Sequence, residues 1–207
     1  NRLHAAVNHF VYGPTTHYSD DFGKTWAQAK QQPVITRPSK SGRPASTVDE
    51  AFRSEGGENI KDKPESMIKV WNITPGRESE PNILYAGAQP ASLFVSKDRG
   101  ETWSLNEALY DHPHRGLWNP GNGGLCLHTI LLDPANPNRM YIAVSAAGCY
   151  RTDDGGQTWR PFNKNVRADF HPDKFPEYGQ CVHKMTMHPS SPNLLYQQNH
   201  CGVYRSD

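Results

Sequence analysis

Thr152-Asp153-Asp154-Gly155-Gly156-Gln157-Thr158-Trp159 occurs in this sequence in three versions. Residues 19–26 read Ser-Asp-Asp-Phe-Gly-Lys-Thr-Trp and residues 96–103 read Ser-Lys-Asp-Arg-Gly-Glu-Thr-Trp, while Ser206-Asp207 matches the opening of a fourth. The later copies follow a short apolar run, Leu93-Phe94-Val95, Cys149-Tyr150 or Val203-Tyr204, so each sits where one strand ends and the next begins. The pattern has the chemistry of a tight turn. A Ser/Thr hydroxyl and the Asp two residues on accept bonds from backbone amides that the turn leaves unpaired. The glycine takes positive φ without steric cost, and the Trp opens the next strand with a large apolar surface to bury. The residues assigned to this turn are Ser19, Asp21, Gly23 and Trp26; Ser96, Asp98, Gly100 and Trp103; and Thr152, Asp154, Gly156 and Trp159. Repeated carboxylates could also serve catalysis or calcium, but one acid per copy in the same place is what folding alone requires.

A second landmark keeps the same spacing. Pro81-Asn82-Ile83-Leu84-Tyr85, Pro137-Asn138-Arg139-Met140-Tyr141 and Pro192-Asn193-Leu194-Leu195-Tyr196 recur at intervals of 56 and 55 residues. Asp98 and Asp154 lie 56 apart, and Pro134 and Pro189, each closing an apolar run, lie 55 apart. One period in three landmarks identifies a structural repeat. Each unit reads as four strands: A ending at the proline, B holding Pro-Asn-x-x-Tyr, C running into the turn, and D leaving from its Trp. Four antiparallel strands per period predict a β-propeller blade in an all-β chain, with a two-sheet sandwich as the alternative.

The blades then fall into place: a partial blade at 1–34, a loop insertion at 35–65, a blade at 66–110, a loop at 111–121, a blade at 122–166, a loop at 167–180 and a partial blade at 181–207. This is a single partial propeller, an arc of three to four blades of a seven-bladed ring. With no initiator Met, no leader and a first residue inside a repeat, the chain reads as part of a longer protein or of a ring that a partner closes. The D-to-A connections span 49, 31 and 30 residues, and Thr47-Val48-Asp49-Glu50 in the first predicts a helix cap. In a propeller these connections share one face with the B–C loops, and variation confined to one face marks it for binding.

Composition agrees. The 207 residues carry 17 Gly, 17 Pro and only 35% hydrophobic residues, with a mean hydropathy of −0.78, which suits short strands and many turns. A net charge of +1 gives no electrostatic footprint for nucleic acid or an anionic membrane, and no apolar run approaches a membrane span. Cys126, Cys149, Cys181 and Cys201 contain no C-x-x-C pair, which favours a reducing compartment such as the cytoplasm over a disulfide framework.

The turn sequences resemble the Asp-box, or BNR, repeats of the sialidase-like propeller superfamily. Four phrases, at 123–130 (GGLCLHTI), 166–170 (VRADF), 178–184 (YGQCVHK) and 197–207 (QQNHCGVYRSD), further resemble bacterial BNR-repeat proteins labelled glycosyl hydrolase or exo-alpha-sialidase. The resemblance implies a longer protein with about half a propeller in view. It implies a glycoside hydrolase-like or glycan-binding function, although the box also occurs in xyloglucanases, sortilin-type receptors and a photosystem assembly factor. The F/Y-R-I-P motif of sialidases is absent, and Thr36-Arg37-Pro38 is no substitute for it, which speaks against sialidase activity itself.

Candidate site residues lie on the loop face. His128 and His183 each stand six residues before a strand A proline, and Lys69 stands six before Pro75. Three such side chains converge near the channel mouth, where the two imidazoles could bind a ligand or a metal or act as acid and base. The plainer alternative is a packed, hydrogen-bonded histidine. Cys126 and Cys181, two residues earlier, read as buried thiols between blades. The loop residues His114, Arg115, Trp118 and Arg167, with His200, are candidate substrate contacts, and Asp111, Asp169, Glu177 and Tyr178 are candidate catalytic groups. Acids, arginines and aromatics together suit sugar recognition. Three functions follow: a glycan enzyme with two loop-face carboxyls about 5–10 Å apart, a non-catalytic propeller that binds or assembles protein, and a metal-assisted hydrolase with His128 and His183 within about 4 Å of one point. A glycan, a small molecule or a protein is the expected partner, and no cofactor is implied.

Overall fold

The computed structural model of the chain describes residues 2–37 and 65–206. In these residues the strands are β1 (Leu3–His9), β2 (Gly13–Ser19), β3 (Ala27–Gln28), β4 (Lys69–Pro75), β5 (Leu84–Gln89), β6 (Ser92–Ser96) and β7 (Ser104–Leu105). The one-turn helix α1 (Glu107–Tyr110) and a 3-10 turn at Arg115–Leu117 come next. The remaining strands are β8 (Leu127–Leu132), β9 (Met140–Val144), β10 (Gly148–Thr152), β11 (Arg160–Pro161), β12 (Val182–His188), β13 (Ser191–Asn199) and β14 (Gly202–Ser206). They form four antiparallel sheets in chain order: β1-β2-β3, β4-β5-β6-β7, β8-β9-β10-β11 and β12-β13-β14. Four sheets of three or four strands exclude the sandwich. The helix cap expected at Thr47–Glu50 and most of the 35–65 insertion lie outside the described residues.

The sheets stack face against face, and strand patterning shows why. β9 is buried along its whole length, and successive side chains of a strand point to opposite faces. Met140, Ile142 and Val144 join one apolar cluster with Leu93, Leu127 and Trp159. Tyr141 and Ala143 join another with Val182, Met185 and Leu195. A third cluster, around Ala86, Phe94 and Trp103, fills the space between the first two sheets. Three cores between four sheets, with β4 touching β8 and β8 touching β12, give a fan of blades whose first strands line the inner edge. The described residues form an open arc.

Each Asp box closes as its residue types dictate. In the third, Thr152 Oγ1 donates to Asp154 (2.7 Å) and accepts from the Gly156 amide (2.9 Å), while the amide and hydroxyl of Thr158 both donate to Asp154 (2.9 and 2.5 Å). Ser19/Asp21 and Ser96/Asp98 repeat the pattern with Thr25 and Thr102. Gly23, Gly100 and Gly156 sit at φ of 86°, 83° and 91°. The box tryptophans pack toward the preceding blade: Trp103 is 2% exposed and Trp159 7%, whereas Trp26, with no such neighbour among the described residues, is 45% exposed.

In an antiparallel meander alternate connections lie at opposite ends of the sheet. The Asp boxes therefore share one end with the β4–β5, β8–β9 and β12–β13 connections. The other end gathers the β1–β2, β5–β6, β9–β10 and β13–β14 turns with the long connections between sheets.

Candidate functional site

At that loop end, the first strand of each of three sheets carries a β-bulge at the same point. The pairing register shifts between Val70 and Asn72, between Leu127 and Thr129, and between Val182 and Lys184. The inserted residues are Trp71, His128 and His183, and a bulge re-aims the side chain it inserts. A shared local pattern accompanies it: Val70-Trp71-Asn72-Ile73, Leu127-His128-Thr129-Ile130 and Val182-His183-Lys184-Met185.

This register corrects the equivalence expected for Lys69. Pro75 lies inside β4 and pairs with Leu84, where the other blades pair Leu132 with Met140 and Met187 with Leu195. Counting from the proline therefore slips by two residues. Trp71 is the counterpart of His128 and His183, and Lys69 stands level with Cys126 and Cys181.

Trp71 is held by the edge of its indole and stays partly exposed. Its indole Nε1 donates to Gln89 Oε1 at 3.0 Å, yet the residue remains 45% exposed. Gln89 is itself buried, and the Cys126 thiol donates to the same oxygen at 3.4 Å. The backbone at Gly124 passes so close that a Cβ there would overlap the Gln89 amide nitrogen. Lys69 Nζ lies 5.4 Å from the Trp71 ring centre, and Asn72 Nδ2 donates to the His128 carbonyl (3.1 Å), joining β4 to β8.

The two bulge histidines differ. His128 Nε2 lies 3.0 Å from the Val182 carbonyl and Nδ1 lies 2.9 Å from Thr129 Oγ1. A carbonyl only accepts, so Nε2 carries the proton and Nδ1 accepts from the hydroxyl. Burial lowers the His128 pKa below its ordinary value, keeping a neutral ring with both nitrogens engaged. His183 is exposed and meets His200, Nε2 to Nε2, at 3.2 Å, with the rings edge to face at 86°. Cys181 completes a group whose ligand atoms all lie within 4.8 Å of one another. The imidazole pair is thus His183 with His200, in place of the expected His128 with His183. His200 owes its place to buried Asn199, whose Oδ1 accepts from the Cys201 amide (2.8 Å) and whose Nδ2 donates to the Arg167 carbonyl (2.9 Å).

The remaining candidates divide by burial. Arg115 and Trp118 are each 3% exposed. Arg115 pairs with Glu65 at 2.9 Å, donates to the Ala91 carbonyl and lies 4.1 Å over the Tyr110 ring. Trp118 donates to the Tyr150 hydroxyl at 2.7 Å. Both side chains are interior struts, which corrects their place among the substrate contacts. Asp111 is paired with Arg37. His114 lies 3.3 Å from the Tyr150 hydroxyl, 3.9 Å from Glu177 and 4.7 Å, ring to ring, from Tyr178. Arg167 holds Asp169 at 2.6 Å, and the Asp169 amide donates to Cys201 Sγ, linking this loop to the turn that carries His200. Two surface grooves of about 420 and 660 Å³ lie at the opposite, Asp-box end, lined by residues such as Arg2, His4 and Arg99 or Arg77 and Leu132. None of the mouth residues lines them.

Comparison with known proteins agrees with this architecture. The sequence model of the BNR/Asp-box repeat matches residues 17–28, 94–105 and 150–161. The chain is 31% identical over 81 residues to a protein of Neosartorya fischeri named "Probable oligoxyloglucan-reducing end-specific xyloglucanase", covering 39% of this chain and 9% of that one. Its fold is similar to that of an ancestral GH74 enzyme (TM-score 0.54, 14% identity, 92% of this chain and 20% of the other). It is similar also to a GH74 xyloglucanase from Xanthomonas campestris (TM-score 0.51, 14% identity, 99% of this chain and 35% of the other). The chain therefore spans about a tenth of that curated relative and 20% and 35% of the two solved enzymes. The chain thus carries three BNR/Asp-box repeats on four stacked antiparallel sheets with a β-propeller fold.

Proposed function

We propose that the loop end of the arc binds a glycan and is the working face of a glycoside hydrolase-like propeller. The observation that carries this reading is Trp71, an indole fixed by its Nε1 edge, 45% exposed and inserted at the same bulge position as His128 and His183. An exposed indole stacks on the apolar face of a pyranose ring, while Lys69, His183 and His200 supply hydrogen-bonding groups for its hydroxyls. The relatives' names, with xyloglucanases among them, make xyloglucan oligosaccharides the first ligands to try. Hydrolysis needs two carboxyl groups flanking the bond. Asp169, oriented by Arg167, and Glu177, beside His114 and Tyr178, are the pair assigned here, with Asp111 tied to Arg37.

Titration calorimetry and release of reducing sugar, measured with xyloglucan oligosaccharides, test both parts. Trp71→Ala weakens binding about tenfold, and Asp169→Asn or Glu177→Gln lowers turnover about a hundredfold or more while binding persists. Binding that is indifferent to Trp71 refutes the site, and turnover that is indifferent to both carboxyls refutes their role.

A protein-binding scaffold is the second reading. Phe10, Val11 and Tyr12, at the β1–β2 turn on the same end, are 90%, 62% and 80% exposed, an apolar tip of the kind that contacts proteins. In that case no glycan binds, and Tyr12→Ser with Phe10→Ser abolishes capture of the protein partner.

A further inference from the structure

With Cys181, the His183–His200 pair makes a metal-ligand set that sugar binding alone does not need. Cys181 and His183 are separated by one residue at the start of β12, positions that in a regular strand point the same way, and the bulge at His183 adjusts that aim. His200 enters from the β13–β14 turn, fixed by Asn199. The three ligand atoms lie within 4.8 Å of one another. Two imidazole nitrogens at about 2.0–2.1 Å from one tetrahedral zinc stand about 3.3 Å apart, and here Nε2 of His183 and Nε2 of His200 are 3.2 Å apart. Both rings are exposed, so turning each lone pair toward a shared centre needs only side-chain rotation.

We propose that Cys181, His183 and His200 bind a borderline-soft divalent cation of the zinc class at the loop-end mouth. One thiolate and two imidazoles suit zinc and disfavour calcium or magnesium, which take oxygen ligands. Three protein ligands at an exposed site leave a fourth position open to water or a ligand oxygen, the arrangement of reactive zinc centres rather than closed structural ones. The neighbouring thiol, Cys126, stays outside the set. It is buried, its Sγ lies 3.4 Å from Gln89 Oε1 and 3.2 Å from the Gly123 carbonyl, and burial raises its pKa to about 11, so it remains a thiol. His128 stays outside as well, with both nitrogens occupied.

The test uses the full chain with metal alone: equilibrium dialysis against Zn²⁺, and the absorption spectrum after loading with Co²⁺. The expected result is one saturable Zn²⁺ per chain and a thiolate-to-cobalt charge-transfer band that Cys181→Ser removes. His183→Gln and His200→Gln weaken zinc binding at least about tenfold, with circular dichroism unchanged, and His188→Gln, at the far end of β12, leaves it unaltered. Absence of the charge-transfer band in the unsubstituted chain overturns the proposal whatever the variants do. Zinc affinity that is equal in all four variants overturns it too. No glycan enters either measurement, so failure here leaves the glycan reading standing, and the reverse also holds.

Discussion

Asp154 and Asp21 each close a turn with one carboxylate, and that role has a pH signature. The hydroxyl and amide of Thr158 hold Asp154 at a pKa of about 2, and the amide and hydroxyl of Thr25 do the same for Asp21, against an ordinary 3.8. A carboxyl with a depressed folded pKa adds stability that is complete above 3.8 and is lost as pH falls toward 2. His4, His112 and His128 are pushed below 6.5, chiefly by burial. Their unfolded forms take up protons first, so stability also declines as pH drops through and below 6.5. The urea midpoint plotted against pH should therefore be level above the histidine range and fall in two stages, and Asp154→Asn should shrink the lower one. A midpoint that rises on acidification contradicts these assignments. Arg115 gives a second test at this scale. Arg115→Ala leaves Glu65 buried without this partner and should cost about 3–5 kcal/mol in denaturant unfolding, whereas Arg115→Met with Glu65→Leu should recover most of it.

At the scale of elements, the box tryptophans separate packing between blades from closure of the turn. Trp103→Ala, which empties a site in the core between the first two sheets, should cost about 3–5 kcal/mol. Trp26→Ala, half exposed in an otherwise similar turn, should cost about 1 kcal/mol or less. Equal losses at the two positions would mean that the Trp serves the turn and not the neighbouring blade. The contrast also explains what the sequence made legible. The boxes, the strand order and the repeat period depend on short-range hydrogen bonds and alternation, so they can be read along the chain. The partner of His183 depends on where the β13–β14 turn meets β12. The fate of Arg115 and Trp118 depends on Tyr110 and Tyr150 of neighbouring elements. Lys69 took the place of Trp71 because the proline used for counting falls inside β4 in one blade and beyond the strand in the other two. The apolar-x-polar-apolar pattern at each bulge would have found Trp71 without coordinates.

Across the whole molecule, the two ends of the blades differ in kind. One end carries three nearly identical turns whose polar groups bond to one another. The other carries connections of unequal length, a half-exposed indole, a pair of facing imidazoles and an exposed apolar tip. Repetition at one end and diversity at the other is the pattern expected if the loop end is the binding face proposed above. NMR chemical-shift mapping of the isotope-labelled chain during titration with xyloglucan oligosaccharides tests that proposal directly. Perturbations concentrated at 69–72, 126–129, 181–184 and 199–202 are the predicted result. Perturbations centred on the Asp boxes at 19–26, 96–103 and 152–159, or shifts that are lost on neither Trp71→Ala nor His183→Gln, would contradict it.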